Sequence, residues 1–191
     1  MADQGRVHSP ESRAEFRAAL VELIPNLRAF ARSLCPNPVR ADDLVQDALV
    51  KALANVDRFQ PGTHLRAWLF TILRNSYFSE LRKARREVED IDGEHVASLA
   101  QPPNQPSAID LEEFKRAFAT LSDDHREVLT LVGAFGMAYE EAAEIAGCAV
   151  GTVKSRLNRA RKRLAELLGV ETTLDLSAER IKELRADAAV N

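Results

Sequence analysis

Residues 138–163 read AYEEAAEIAGCAVGTVKSRLNRARKR: an acidic, alanine-rich amphipathic run, a Gly147-Cys148-Ala149 turn, and a second run whose exposed side is almost wholly basic. That is the pattern of a helix-turn-helix, the unit that sets its second helix into the major groove of duplex DNA. In the first run Ala142, Ala143, Ile145 and Ala146 form a thin apolar stripe, small enough for two helices to cross closely. Glu140, Glu141 and Glu144 are left for water. From Thr152 to Arg163 there are six Lys or Arg and no Asp or Glu, with Val153, Leu157, Ala160 and Leu164 at helical spacing as the buried stripe. Lys154, Ser155, Arg156, Asn158, Arg159 and Arg161 remain for solvent or for a groove. A basic amphipathic helix alone is usually just a solvated face. The tight turn, the acidic partner helix and the uninterrupted cationic side together point to DNA.

The net charge of -3 over 191 residues is unpromising for a nucleic-acid binder, but the charge is segregated. Residues 1–86 sum to +5, residues 87–113 to -8, residues 114–170 to +2 and residues 171–191 to -2. Two basic modules therefore flank an acidic strip.

Upstream of the helix-turn-helix, Phe16, Leu20, Leu23, Leu27, Phe30 and Leu34 step by three or four, which predicts a long helix that Pro25 and the Pro36–Pro38 pair bend or end. A second helix is expected from Ala41 to about Val56, with Asp42 and Asp43 in its first turn, burying Leu44, Ala48, Leu49 and Leu53 and exposing Asp43, Gln46, Asp47 and Lys51. The loop DRFQPGTH (57–64) turns at Pro61-Gly62. A third helix, Leu65 to about Arg86, interleaves Trp68, Phe70, Tyr77 and Phe78 with Arg66, Arg74, Arg82, Lys83, Arg85 and Arg86. Aromatics stack on unpaired bases and cations follow phosphates, so the mixture suits opened DNA, although most of the apolar residues are expected to serve packing. Residues 87–110, acidic and then proline-rich, read as a flexible linker.

The expected organisation is a tail (1–13), a first helical module (14–86), the linker (87–110), a second helical module (111–169) and a C-terminal extension (170–191) with a short helix capped by Ser177. No alternating strand pattern occurs, so the fold class is all-α, two small helical domains. No apolar run is long enough to span a membrane and no secretory signal is present, so a cytoplasmic protein is expected. Cys35 and Cys148 fall in different modules with no His at ligand spacing, and the four His are scattered. No catalytic residues, metal, cofactor or small-molecule substrate is expected, and the chain does not read as an enzyme.

The blocks ADDLVQDAL (41–49), FQPGTHLRAWLFTILRN (59–75), SELRKARRE (79–87), LSDDHREVLTL (121–131) and YEEAAEIAGCAVGTVKSRLNRARKRL (139–164) resemble a bacterial RNA polymerase sigma factor of the extracytoplasmic-function (ECF) group. They fall in the order of its regions 2 and 4. REVEDIDG and EEAAEIAGCAVGTVKSR are more particularly similar to the alphaproteobacterial general-stress-response subgroup. One departure is Ala138, where many members place a Ser or Thr cap.

The resemblance implies a factor that performs no chemistry but gives RNA polymerase core its promoter choice. It implies that Asp42, Asp43, Gln46 and Asp47 dock on the clamp helices of core, and that the second module packs on the flap. The -35 element falls to Lys154, Ser155, Arg156, Asn158, Arg159 and Arg161, with Arg156 and Arg159 suited to guanine. The -10 element falls to Asp57, Arg58, Phe59, Thr63, His64, Arg74 and Asn75, around a base turned out of the duplex. An anti-sigma factor bridging both modules and covering the Asp42–Asp47 face is a further implied partner, with the free chain extended or exchanging between arrangements. Two other readings remain: a helix-turn-helix regulator, which needs a ligand or receiver domain, and a sigma mimic that sequesters an anti-sigma factor, which has no need of an intact basic face.

Overall fold

The computed structural model describes residues 10–60, 63–89 and 111–170. Most of the expected linker, the Pro61-Gly62 turn and the expected C-terminal helix lie outside the described residues. Helix α1 (Pro10–Leu34) opens on a proline, which is tolerated where the N–H has no intrahelical partner. It therefore starts inside the expected tail. Pro25 stands within α1 and does not end it. Phe16 and Leu20 before it, and Leu27, Phe30 and Leu34 after it, are all buried in one core, and that burial outweighs the lost hydrogen bond.

Helix α2 (Pro38–Ala54) begins earlier than Ala41, because Asn37 Oδ1 accepts from Arg40 N at 3.1 Å and Pro38 presets the first turn. Asp42 and Asp43 consequently lie beyond the first turn, where no acidic residue stands. Ala41, Leu44, Val45, Ala48 and Ala52 are buried, whereas Leu53, expected in the core, is 45 % exposed. A 3-10 turn (Val56–Arg58) leads to the loop and to α3 (Leu65–Glu89), which runs past the expected module end at Arg86.

The second module starts with α4 (Leu111–Ala119) and α5 (Asp123–Val128), which widens into a π-helical segment (Leu129–Ala134). Helices α6 (Tyr139–Ala146) and α7 (Val150–Leu167) follow, joined by Gly147 at φ 60°, a left-handed position that glycine takes without strain. The expected stripes are buried: Ala142, Ala143, Ile145 and Ala146 on α6, and Val153, Leu157, Ala160 and Leu164 on α7. Ala138 provides no side-chain cap. Among the described residues there is no strand, and the fold is all-α.

The two modules are packed on each other, which differs from the expected extended arrangement. One cluster of buried side chains runs from Phe16 of α1 to Leu157 of α7. Phe135, at the end of the π-helical segment, leaves its own module; its ring lies 4.9 Å from Phe70 and 6.5 Å from Phe30. The carbonyl of Leu34 at the end of α1 accepts from Tyr77 Oη (3.0 Å) and from Arg126 Nη2 of α5 (2.9 Å). Linker composition sets only how far two modules can separate. Whether they dock is decided by apolar and polar groups on the facing surfaces.

Candidate nucleic-acid interface

The outer face of α7 is a row of polar side chains held on a rigid helix. Lys154, Ser155, Asn158 and Arg159 are exposed. Lys154 Nζ stands 5.4 Å over the Tyr139 ring, and Ser155 Oγ donates to Thr152 O at 3.0 Å. Arg156 differs. It is half-buried and its Nη2 lies 2.8 Å from Asp124 Oδ2, so its guanidinium ties α7 to α5. Arg161 is also half-buried, which leaves Arg159 as the more accessible fork for two hydrogen bonds to a base edge.

In the first module a cleft of about 370 Å³ opens between the end of α2, the 3-10 turn and α3. Trp68 and Ile72 form its apolar wall, Lys51 and Arg58 supply cations, and Asn55, Asn75, Ser76 and Ser79 supply hydrogen-bonding groups. Lys51 Nζ is fixed by Ser76 Oγ at 2.8 Å. Arg58 and Asn75, expected near the DNA strand, line this cleft together with Lys51 and Asn55, which were not expected there. Their spacing of four puts both on one side of α2, a signal that becomes visible only when α3 lies opposite.

The other expected -10 residues are scattered. Phe59 is only 8 % exposed and is drawn into an aromatic cluster with Phe16 and Trp68, so most of its ring is used in packing. Asp57 is exposed and 3.7 Å from Arg13 Nη2. Thr63 and His64 are exposed, with Thr63 Oγ1 donating to Gln60 O. Arg74 is turned away from the cleft: its Nε donates to Glu127 Oε1 of α5 at 2.6 Å, and its guanidinium lies 4.6 Å from the centre of the Phe78 ring. Glu127 is fully buried, and that burial pushes its carboxyl pKa up against the opposing pull of Arg74.

Helix α2 presents a third surface. Asp43, Gln46 and Asp47 are exposed as expected, but Asp42 is half-buried, its Oδ1 enclosed and 3.5 Å from Arg28 Nε. Val39, Val50 and Leu53 stand on the same outer side at 70 %, 65 % and 45 % exposure. Positions 39, 43, 46, 50 and 53 form one helical stripe that mixes acidic and apolar groups. A row of large apolar side chains left in water on an otherwise well-buried helix is a mark of a binding surface.

Residues 20–87 match the family model for sigma-70 region 2, and residues 111–164 match that for sigma-70 region 4. The chain belongs to the sigma-70 family. The ECF RNA polymerase sigma factor EcfG of Rhodopseudomonas palustris is 54 % identical over 163 residues, covering 85 % of this chain and 90 % of that protein. Among solved structures, the sigma factor RpoE in complex with the anti-sigma factor NepR from Bartonella quintana superposes with a TM-score of 0.71 at 52 % identity, covering 82 % of this chain and 98 % of that one. CnrH in complex with the cytosolic domain of CnrY superposes with a TM-score of 0.58 at 27 % identity, covering 86 % and 92 %. Within the sigma-70 family the chain is an ECF sigma factor of the EcfG, general-stress-response kind. It directs transcription initiation together with RNA polymerase core and is not itself an enzyme. Among the described residues no helix is long and apolar enough to cross a membrane.

Proposed function

We propose that this sigma factor holds an unpaired -10 base in the cleft between α2 and α3, reads the -35 element with the outer face of α7, and docks on core polymerase through the α2 stripe. The cleft carries the proposal. Trp68 offers a stacking wall, the Asn75 amide offers both donors and an acceptor, the Asn55 amide, whose Nδ2 already donates to Lys51 O at 2.8 Å, offers its second donor and its oxygen, and Lys51 and Arg58 are suited to flanking phosphates. Extruding a base costs a few kcal/mol, which stacking and edge hydrogen bonds inside such a cleft offset. On α7, Arg159 takes a guanine edge while Lys154, Ser155 and Asn158 position the helix and adapt to neighbouring bases.

The α2 stripe suits the clamp helices of core, with Asp43, Gln46 and Asp47 meeting basic side chains and Val39, Val50 and Leu53 supplying apolar contact. Region 4 packs on the flap. An anti-sigma factor competes for the same stripe, a reading supported by the similarity to a sigma factor solved with NepR. The deciding experiment measures holoenzyme binding to a forked promoter fragment with an unpaired -10 strand. Asn75→Ala and Lys51→Ala each weaken it about tenfold, the equivalent of one lost base contact, and leave binding to a duplex -35 fragment unchanged. Equal binding by both variants and wild type refutes the cleft assignment.

A further inference from the structure

Apart from the main core, region 4 has a small cluster of its own. Ala117, Leu121 and Leu164 are buried together where α4 meets the end of α7, and Phe114, Phe118, Leu167 and Leu168 pack around them but stay half-buried. The Phe114 and Phe118 rings stack along one side of α4 with centroids 5.9 Å apart. Leu111 continues that side at helical spacing and is 54 % exposed, while Val170, just past α7, is 38 % exposed. Among the described residues these are the only large apolar side chains of region 4 left in water, and each adjoins the cluster along the chain. The stripe Leu111, Phe114, Phe118 is thus an apolar helix face without a finished cover.

We propose that residues 174–188 of this chain fold into an amphipathic helix that docks on this face and completes region 4. The segment lies outside the described residues, and its sequence and its point of departure carry the assignment. Ser177 suits an N-cap, and Ile181, Leu184 and Ala188 then share one side of the helix that follows. Leu176 before the cap and Ile181 after it stand at the spacing of a hydrophobic staple. The exposed cations Lys115, Arg116, Lys162 and Arg163 outnumber the exposed carboxylates Glu112 and Glu166 on the two helices that frame the face, whereas residues 171–191 sum to -2. Opposite net charge favours that pairing.

The end of α7 delivers the chain to this place. Gly169, at φ 63°, takes a left-handed turn in which its N–H donates to Glu166 O at 3.3 Å and the N–H of Val170 to Ala165 O at 3.0 Å. The chain is therefore folded back over the last turn of α7, beside Leu164, Leu167 and Leu168, and does not run on along the helix axis. From Val170 to Ser177 it can reach up to about 23 Å. The nine residues of α4 span only about 13 Å, so the helix start can be set against any part of the face. A tether this short gives an effective concentration in the millimolar range, at which a modest apolar contact is held.

The test uses the full chain, isotope-labelled, in solution. Nuclear Overhauser contacts are expected between the Ile181 methyl groups and the Phe114 or Phe118 ring. The double variant Ile181→Asp with Leu184→Asp should lose them, shift the Leu111 and Val170 methyl signals, and lower the melting temperature by about 3–6 °C. Leu111→Asp, a change at an exposed position, should remove the same contacts from the other side. Wild-type spectra without these contacts, or a double variant that leaves the Leu111 and Val170 signals and the melting temperature unchanged, overturn the docking. Contacts found only between differently labelled chains, and growing with concentration, also overturn it, because the cover is then a second copy.

Discussion

The two surfaces assigned to DNA are built on long helices of the same kind, yet one helix is finished within its own domain and the other is shared with a second domain. On α7 the charged row faces outward, with its apolar stripe spent on its own domain. On α3 the apolar residues serve two domains, and Arg74 at the seam is used to join them. A helix that only recognises DNA can be finished within its own fold. A helix that also carries the contact with a second domain has some of its side chains held by that contact.

The largest break in this comparison comes from Arg126. It is 7 % exposed and donates to the carbonyls of Ala119 (3.0 Å), Leu121 (2.8 Å) and Leu34 (2.9 Å), with Asp123 as its ion-pair partner. Arg126→Ala leaves those acceptors unpaired and strands Asp123, and should lower stability by about 3–5 kcal/mol in chemical denaturation. A loss under about 1 kcal/mol, the size expected of a surface pair, means that the seam tolerates its polar groups being unmet.

Alkaline titration sharpens the same seam. Burial, reinforced by the charge of Asp123 across the interface, pushes the Tyr77 hydroxyl up from 10 to about 12. The folded state therefore holds this proton more tightly than the unfolded chain. The corresponding stability is fully present below pH 10 and is lost as pH rises to about 12, up to about 2–3 kcal/mol. Denaturation midpoints across that range should fall in wild type and fall less in Tyr77→Phe; parallel curves exclude Tyr77 as the source.

On the outer face of α7 the effects should appear in binding and not in folding. Arg159→Ala is expected to weaken -35 binding by about 1–3 kcal/mol and to relax preference at one base pair, with the melting temperature unchanged. Arg156→Ala should in addition lower the melting temperature, since Arg156 also holds Asp124. Identical thermal behaviour of the two variants erases the distinction drawn between them. Smallest of all, Arg40→Ala removes an exposed pair to Glu80 at 3.3 Å, and should change stability by about 0–1 kcal/mol at low salt and less at high salt.

The all-α class, the helix-turn-helix with its buried stripes and the exposed side chains of α7 were legible in the sequence, because period and turn chemistry act over a few residues. The acidic side of α2 was legible too, except that Asp42 lies half-buried beside Arg28 of α1 and Leu53 stands exposed, because the surfaces packed against α2 decide how wide its buried stripe is. Phe59, which the resemblance assigned to the -10 element, has its ring in an aromatic cluster with Phe16 and Trp68, a placement that local sequence could not show.

What the sequence could not contain in readable form is the meeting of distant positions. Lys51 and Asn55 become a cleft only when α3 lies opposite them. Arg74 finds Glu127 53 positions away, and Leu34 accepts from Arg126 across 92. Local composition fixed each helix and its charge, since those depend on neighbours in the chain. The tertiary structure decided which cations are free and which are held, because burial beside a carboxylate depends on surfaces that touch only after folding.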